Sequence, residues 1–253
     1  MIDLDIADDV AEITLNAPDK LNALSLDALG ELDAAYSRAA DSGVRALVLR
    51  GEGRAFCAGR DISGVDPKTD DVPAYLEAVE GVMRRIAAFP APTFAAVQGA
   101  CLGVGLGLAI ATDVVYVAKD AKIGSPFVNL GAMLDSGGHA LLYERLGAHR
   151  TLDLIYTGEL MTGAEAVSSG LFSRVAPSDE LVAFTRERAA RAAAGPTQAF
   201  LASKRLIDIL RDERLWRIVA EENRGQAELQ QSADYREGFA AFQEKRKPTF
   251  TGD

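Results

Sequence analysis

Apolar and polar residues alternate over residues 2–6 and again over 10–15, with Ala7, Asp8 and Asp9 between them, which predicts a β-hairpin. After a polar loop at 16–22 the period changes. Ser25 is a suitable helix N-cap, and Leu26, Leu29, Leu32, Ala35 and Tyr36 follow at helical spacing up to about Ser42 and Gly43. Residues 44–49 form a continuous apolar run, the signature of a strand buried on both faces. Residues 74–89 return to helical spacing, with Tyr75, Val79, Val82, Met83 and Ile86 on one side, until Pro90 and Pro92 interrupt the pattern. A strand at 94–97, a buried helix from 103 to 112 and a strand at 114–117 complete this part.

Strand and helix alternating over residues 44–118 predict an α/β core. From Gly137 onward the pattern is mainly helical, apart from a short strand at 173–175. Helices are expected at 178–194, 196–211, 212–230 and 234–245, with Gly195-Pro196 as a break. The division this suggests is a core at 1–195 and a helical C-terminal region at 196–253. Leu206, Ile209, Leu210, Trp216 and Ile218 give that region more apolar surface than a solitary appendage needs, so an oligomer is expected. The stretch 94–112 approaches the length of a membrane span. Gln98, its glycines and the adjoining Asp113 favour a buried strand–turn–helix, and no membrane association is expected.

Two glycine-rich stretches stand out within this pattern, GEGRAFCAGRD at 51–61 and GACLGVGLG at 99–107, each following a strand. Glycine allows close backbone approach and conformations other residues avoid. Two such turns on neighbouring strands are able to aim two N–H groups at one point, the requirement for holding an oxyanion. A dinucleotide fingerprint needs a glycine at position 108, which is leucine, so no nicotinamide site is expected.

A net charge of −10 argues against a nucleic-acid partner, which requires a basic face. The two cysteines, Cys57 and Cys101, each lie inside a glycine stretch and read as small buried residues of a reducing, cytoplasmic compartment. Residues 1–9 carry four aspartates and no basic residue, unlike a secretion signal. His139 and His149 are the only histidines and do not cluster, so no metal site is expected.

Taken together, Asn22-Ala-Leu-Ser, the stretch Gly51 to Asp61, Ala96-Val-Gln-Gly-x-Cys-Leu-Gly-x-Gly105 with Asp113, Thr157-Gly-Glu, Ala164 to Gly170-Leu171, and Glu244-Lys-Arg-Lys-Pro-x-Phe250 resemble the crotonase (enoyl-CoA hydratase/isomerase) superfamily over essentially the whole chain. The resemblance implies a spiral of ββα turns with a helical C-terminal oligomerisation region, assembled as a homotrimer or a dimer of trimers. It implies an acyl-CoA thioester substrate, with coenzyme A as part of the substrate and no separate cofactor. The thioester oxygen would accept the N–H groups of Ala58 and Val104. Coenzyme A contacts fall by position on Lys20, Ala23, Ala58, Gly59, Arg60 and Asp61, with Lys245 and Lys247 contributed by the tail.

The departures from that pattern carry the functional argument. Hydratases of this family hold water between two glutamates; the matching positions here are Gly107 and Phe127. Water addition needs a positioned acid and base, so hydration is disfavoured. Asp135, in GAMLDSGG, resembles instead the carboxylate of enoyl-CoA isomerases and epoxyphenylacetyl-CoA isomerases, which moves a proton between carbons of the acyl group. Phe127, Met133 and Leu134 would form an apolar acyl pocket around it and raise its pKa. The structural alternative for Asp135 is a cap for the helix after Gly138. The functional alternatives are an enoyl-CoA hydratase of fatty-acid β-oxidation, a nucleophilic aspartate as in chlorobenzoyl-CoA dehalogenases, and a non-catalytic acyl-CoA-binding homologue.

Overall fold

The computed structural model describes residues 1–253. Strands β1 (Ile2–Ala7) and β2 (Val10–Leu15) form the expected antiparallel hairpin, and Asp8 and Asp9 turn it with positive φ. Helix α1 (Leu26–Asp41) starts at Ser25, whose hydroxyl accepts the Ala28 N–H at 3.2 Å, and buries Leu29, Leu32 and Tyr36. The chain then repeats one unit three times. A strand enters a large sheet, a second extended piece joins a small sheet, and a helix covers them. The first unit is β3 (Ala46–Gly51), the bridge of Cys57 to Cys101, and α2 (Val72–Ala87). The second is β4 (Thr93–Val97), β5 (Ala100–Leu102) and α3 (Val104–Ala111). The third is β6 (Val114–Ala118), β7 (Lys122–Gly124) and α4 (Gly138–Thr157).

A two-residue strand β8 (Met161–Thr162), helix α5 (Gly163–Ser168) and β9 (Arg174–Ala176) follow. The large sheet runs β1-β2-β3-β4-β6-β9 and is parallel from β2 onward; the small sheet runs β5-β7-β8. The short strands of the small sheet have no sequence signature because three residues are too few to show a period.

The C-terminal helices are α6 (Leu181–Ala193), α7 (Thr197–Leu229) and α8 (Ala233–Gln243). Helix α7 is one helix of 33 residues where two, 196–211 and 212–230, were expected. Leu210-Arg211-Asp212-Glu213 contains no breaker, and the inward face runs on at helical spacing through 201, 204, 208, 211, 215, 219, 222 and 226; what changes is that the apolar residues of the first half lie off that face. Leu206, Ile209 and Leu210 in the first half are 66%, 72% and 80% exposed, whereas Leu215, Val219, Glu222 and Gln226 in the second half are buried. Helix α2 starts earlier than the expected 74–89. Asp71 caps it by accepting the Ala74 N–H at 3.0 Å, and Val72 and Pro73 open its first turn. No helix is long and apolar enough to cross a membrane.

Candidate active site

The site lies between the turns that leave β3 and β5 on one side and the segment before α4 on the other. Buried Asn22 holds the first turn: its amide donates to the carbonyls of Glu52 and Ala55 at 2.9 and 2.8 Å. The Gln98 amide donates to the carbonyl of Gly51 at 2.8 Å from the neighbouring turn. Within this frame Gly59 adopts φ +103°, and Gly103, the residue before α3, adopts φ +53°. A Cβ on Gly59 would stand 3.0 Å from the Leu102 carbonyl oxygen, so the first turn reaches the second because Gly59 lacks a side chain, while a Cβ on Gly103 would stand 3.1 Å from the Phe127 ring.

This geometry decides which amides are free. The Ala58 N–H already donates to the Leu21 carbonyl at 2.9 Å. Ala58 also lies outside the pocket lining, which corrects its expected place as an oxyanion donor. Two residues on, the Arg60 N–H has no acceptor, because the flanking bonds are Leu24 N–H to the Gly59 carbonyl and Asp61 N–H to the Leu24 carbonyl. Val104 is the first residue of α3, where an N–H has no partner within the helix. Arg60 and Val104 both line the same pocket.

Asp135 stands in that pocket and is buried. It does not cap α4, whose N-cap is Gly137 with no side-chain bond. Its Oδ1 accepts from the Ser136 hydroxyl at 2.8 Å and its Oδ2 from the Gln226 amide at 3.3 Å. Burial pushes the carboxyl up to about 6 against the hydrogen bond from Ser136, with Glu222 adding to the rise and Gln226 and Arg60 opposing it. Position 107 has no space for a second acid: a Cβ there would meet the Ser136 Cβ at 2.6 Å. Phe127 lines the pocket, with its ring edge against Gly103.

The remaining walls come from elements far apart in sequence. Ile62, Val72, Tyr75 and Leu76 precede or belong to α2, Leu130 and Ala132 precede Asp135, and Gln226, Tyr235 and Phe239 come from α7 and α8. The Tyr75 hydroxyl donates to the Leu24 carbonyl at 3.1 Å, and the Tyr235 ring stacks on Phe239 at 4.5 Å. Burial pushes the Tyr235 hydroxyl up to about 12. The walls leave about 40 Å³ open, room for a few waters. Met133 and Leu134 are absent from the walls. The Met133 side chain packs on α7 at Gly225, and Leu134 packs under the start of α4 at Gly138. Helical spacing identified the buried face of α2, but nothing in sequence marks which residues of α7 and α8 close a pocket built by residues a hundred positions earlier.

The expected coenzyme A residues divide into two groups. Lys20, Ala23 and Asp61 share one corner: the Lys20 ammonium lies 2.8 Å from Asp61 Oδ2, the Ala23 N–H donates to the Lys20 carbonyl, and Asp61 Oδ1 also accepts from Ser63. Arg60 departs from expectation, because its guanidinium turns inward, 2.5 Å from Asp70 and 4.1 Å above the Tyr75 ring. Lys245 and Lys247 are exposed beyond α8, and their ammonium groups make no hydrogen bond. The tail after them folds back on its own helix, with Thr251 N–H bonded to Asp234 at 2.8 Å. Cys57 and Cys101 are both fully buried free thiols, and burial pushes Cys57 up to about 12. His139 pairs through Nδ1 with Glu222 at 2.9 Å.

Residues 5–253 match the family model described as enoyl-CoA hydratase/isomerase. A probable enoyl-CoA hydratase of Rhodobacter capsulatus is 39% identical, over 98% of this chain and 96% of its own length. The chain belongs to the enoyl-CoA hydratase/isomerase family, the crotonase superfamily. Another relative, the 1,2-epoxyphenylacetyl-CoA isomerase of Escherichia coli K12, is 34% identical over 96% of this chain and 95% of its own. The solved structure of an enoyl-CoA hydratase from Mycobacterium avium subsp. paratuberculosis K-10 superposes with a TM-score of 0.90 at 33% identity, covering 99% of this chain and 98% of that one. The mixed α/β architecture with its helical C-terminal region is therefore the crotonase fold.

Proposed function

We propose that this crotonase-family protein is an acyl-CoA isomerase that moves a proton between carbons of an unsaturated acyl group, taking 3-enoyl-CoA to 2-enoyl-CoA or rearranging a related ring acyl-CoA. The observation that carries this reading is a single buried carboxyl, Asp135, in a pocket with two unbonded amides and with no space at position 107 for a second acid. The Asp135 carboxylate removes the proton on the carbon next to the thioester carbonyl. The electron pair passes to the carbonyl oxygen, which accepts from the N–H groups of Arg60 and Val104. The same carboxyl then returns the proton at the γ carbon, the double bond moves to the α,β position, and no atom is gained or lost. A pKa of about 6 suits a group that must both accept and return a proton near neutrality. Each preorganised donor to such an oxyanion is worth about 3–4 kcal/mol. The pocket is narrow and mostly apolar, an environment that disfavours water beside the acyl group.

Lys20, paired with Asp61 beside the lining residue Arg60, is the cation proposed to meet a coenzyme A phosphate. The exposed apolar stripe Leu206, Ile209 and Leu210 is the surface for further copies of this chain, consistent with a trimer, and a cytoplasmic site suits a free thiol pair.

A second reading, enoyl-CoA hydratase, is favoured by the names of several relatives, including that of Rhodobacter capsulatus. A panel of 2-enoyl, 3-enoyl and aromatic CoA thioesters, followed by mass and absorbance, separates the two. Isomerisation conserves mass. Rapid conversion of 2-enoyl-CoA to a product heavier by one water, with 3-enoyl-CoA untouched, would replace the isomerase reading with the hydratase one.

A further inference from the structure

Helix α7 reaches the site with two buried polar residues one helical turn apart, Glu222 and Gln226. Between them they hold every second residue of the segment that carries the acid. Gln226 Oε1 accepts the Met133 N–H at 3.1 Å, and Gln226 Nε2 donates to Asp135 Oδ2 at 3.3 Å. Glu222 accepts the Gly137 N–H at 2.7 Å and the His139 N–H at 2.9 Å, and also bonds His139 Nδ1. The Met133 bond settles the orientation of the Gln226 amide. A backbone N–H only donates, so the amide oxygen must face it and the NH₂ group must face the carboxylate. The held segment needs restraint, because Ser136 and Gly137 both adopt left-handed backbone, at φ 55° and 73°.

From this arrangement we infer that Gln226 is a positioning residue for Asp135: it fixes the plane of the carboxylate and favours the ionised form that removes the substrate proton. The inference rests on the reading of Asp135 as proton carrier. A side-chain NH₂ bonds an anion more strongly than a neutral acid, so its removal raises the proton affinity of the partner. Arg60 faces Asp135 from the turn after β3, Tyr75 from α2, Glu222 from α7 and Tyr235 from α8, and Asp70 pairs with Arg60 behind them. Substitution at position 226 leaves all of these groups in place.

The test is the pH dependence of kcat/KM for isomerisation of a 3-enoyl-CoA by the full chain, with Gln226→Met, Gln226→Glu and Asp135→Asn beside the wild type. In Gln226→Met the acidic limb is expected to rise by about one pH unit. In Gln226→Glu two carboxyls face each other and do not both ionise readily, so the limb rises further. Glutamate keeps the size of the side chain and the acceptor for Met133, so this variant carries the test if Gln226→Met does not fold by circular dichroism. An unmoved limb in a folded variant, with Asp135→Asn inactive, overturns the role of Gln226 alone. An Asp135→Asn protein that still isomerises overturns the reading of Asp135 on which it rests.

Discussion

The two sides of the pocket are built by different means. On the glycine side the groups proposed to act are the backbone amides of Arg60 and Val104, and side chains contribute mainly by their absence at Gly59 and Gly103. On the acid side the group proposed to act is one side chain, Asp135, and its environment is made by residues up to about a hundred positions away, Glu222, Gln226, Tyr235 and Phe239. An oxyanion hole of backbone groups is rigid and insensitive to which side chains surround it. A carboxyl that accepts and returns a proton depends on burial and on each bond it receives. The glycine side therefore suits the chemistry common to acyl-CoA enzymes, and the acid side sets which reaction follows.

The sharpest way to break this comparison is Asp135→Asn. Asparagine fills the same space but cannot take a proton. The expected loss of kcat on 3-enoyl-CoA is roughly 10²–10⁴-fold, the range for a removed acid–base group. Binding of a non-reactive acyl-CoA, measured by calorimetry, should persist because the amides remain. If both wild type and variant bind the ligand and neither turns over any member of the thioester panel, the protein is a binding homologue and the acid side has no catalytic role.

The same contrast explains what was legible in the sequence. GEGRAFCAGRD and GACLGVGLG are local, so the meeting of two turns could be read without coordinates, and Asp135 stood out through the resemblance of GAMLDSGG to the isomerases of the family. The donor at Arg60 could not. Sequence does not show that the Ala58 N–H is taken by the Leu21 carbonyl, a contact made across a loop. Arg60 reads as a surface cation until Asp70 and Tyr75 are found beside its guanidinium. Met133 and Leu134 are apolar and adjacent to the acid, yet they pack backward on α7 and α4, and the wall is completed by Tyr235 and Phe239. Alternation and helical period report which face is buried, not against which cavity. The single helix α7 hid for a related reason: the apolar residues of its first half, Leu206, Ile209 and Leu210, lie off the face that is covered along the whole helix, which mimics a break.

Gly107→Ala probes the point where the two sides touch. The added Cβ would meet the Ser136 Cβ at 2.6 Å and the Ser136 carbonyl oxygen at 3.0 Å, contacts a packed interior does not absorb without shifting. The expected cost is about 1–3 kcal/mol of stability, read by chemical denaturation, together with a fall in kcat as Ser136 moves the neighbouring carboxyl. Gly107→Glu should add no hydratase activity, because the carboxyl has no space to reach the substrate. An increase in hydration in that variant would show that the acid side tolerates a second carboxylate.

Stability gives an independent reading of the same carboxyl. In the folded protein Asp135 ionises at about 6, well above an exposed aspartate. Between the unfolded and folded values the native state holds the extra proton, so its stability falls as pH rises through that window. The penalty is complete above pH 6, and at most about 3 kcal/mol for a shift of this size. Asp135→Asn is therefore expected to raise the melting temperature at pH 8, with the gain fading below about pH 4. An equal gain at both pH values would place the effect in packing and remove the buried charge from the account.

The smallest effect is expected at the rim, where Lys20 pairs with Asp61 and stays more than half exposed. Lys20→Ala removes a screened charge, worth about 0.2–1 kcal/mol, so KM for a CoA thioester should rise by at most about fivefold with kcat unchanged. The difference should shrink as salt is raised, because exposed charges are screened over about 10 Å at 0.1 M ionic strength. A matching fall in kcat would mean that Lys20 supports the Asp61 turn and, through it, the Arg60 amide. The rim would then belong to the glycine side of the site and not to the binding of the coenzyme.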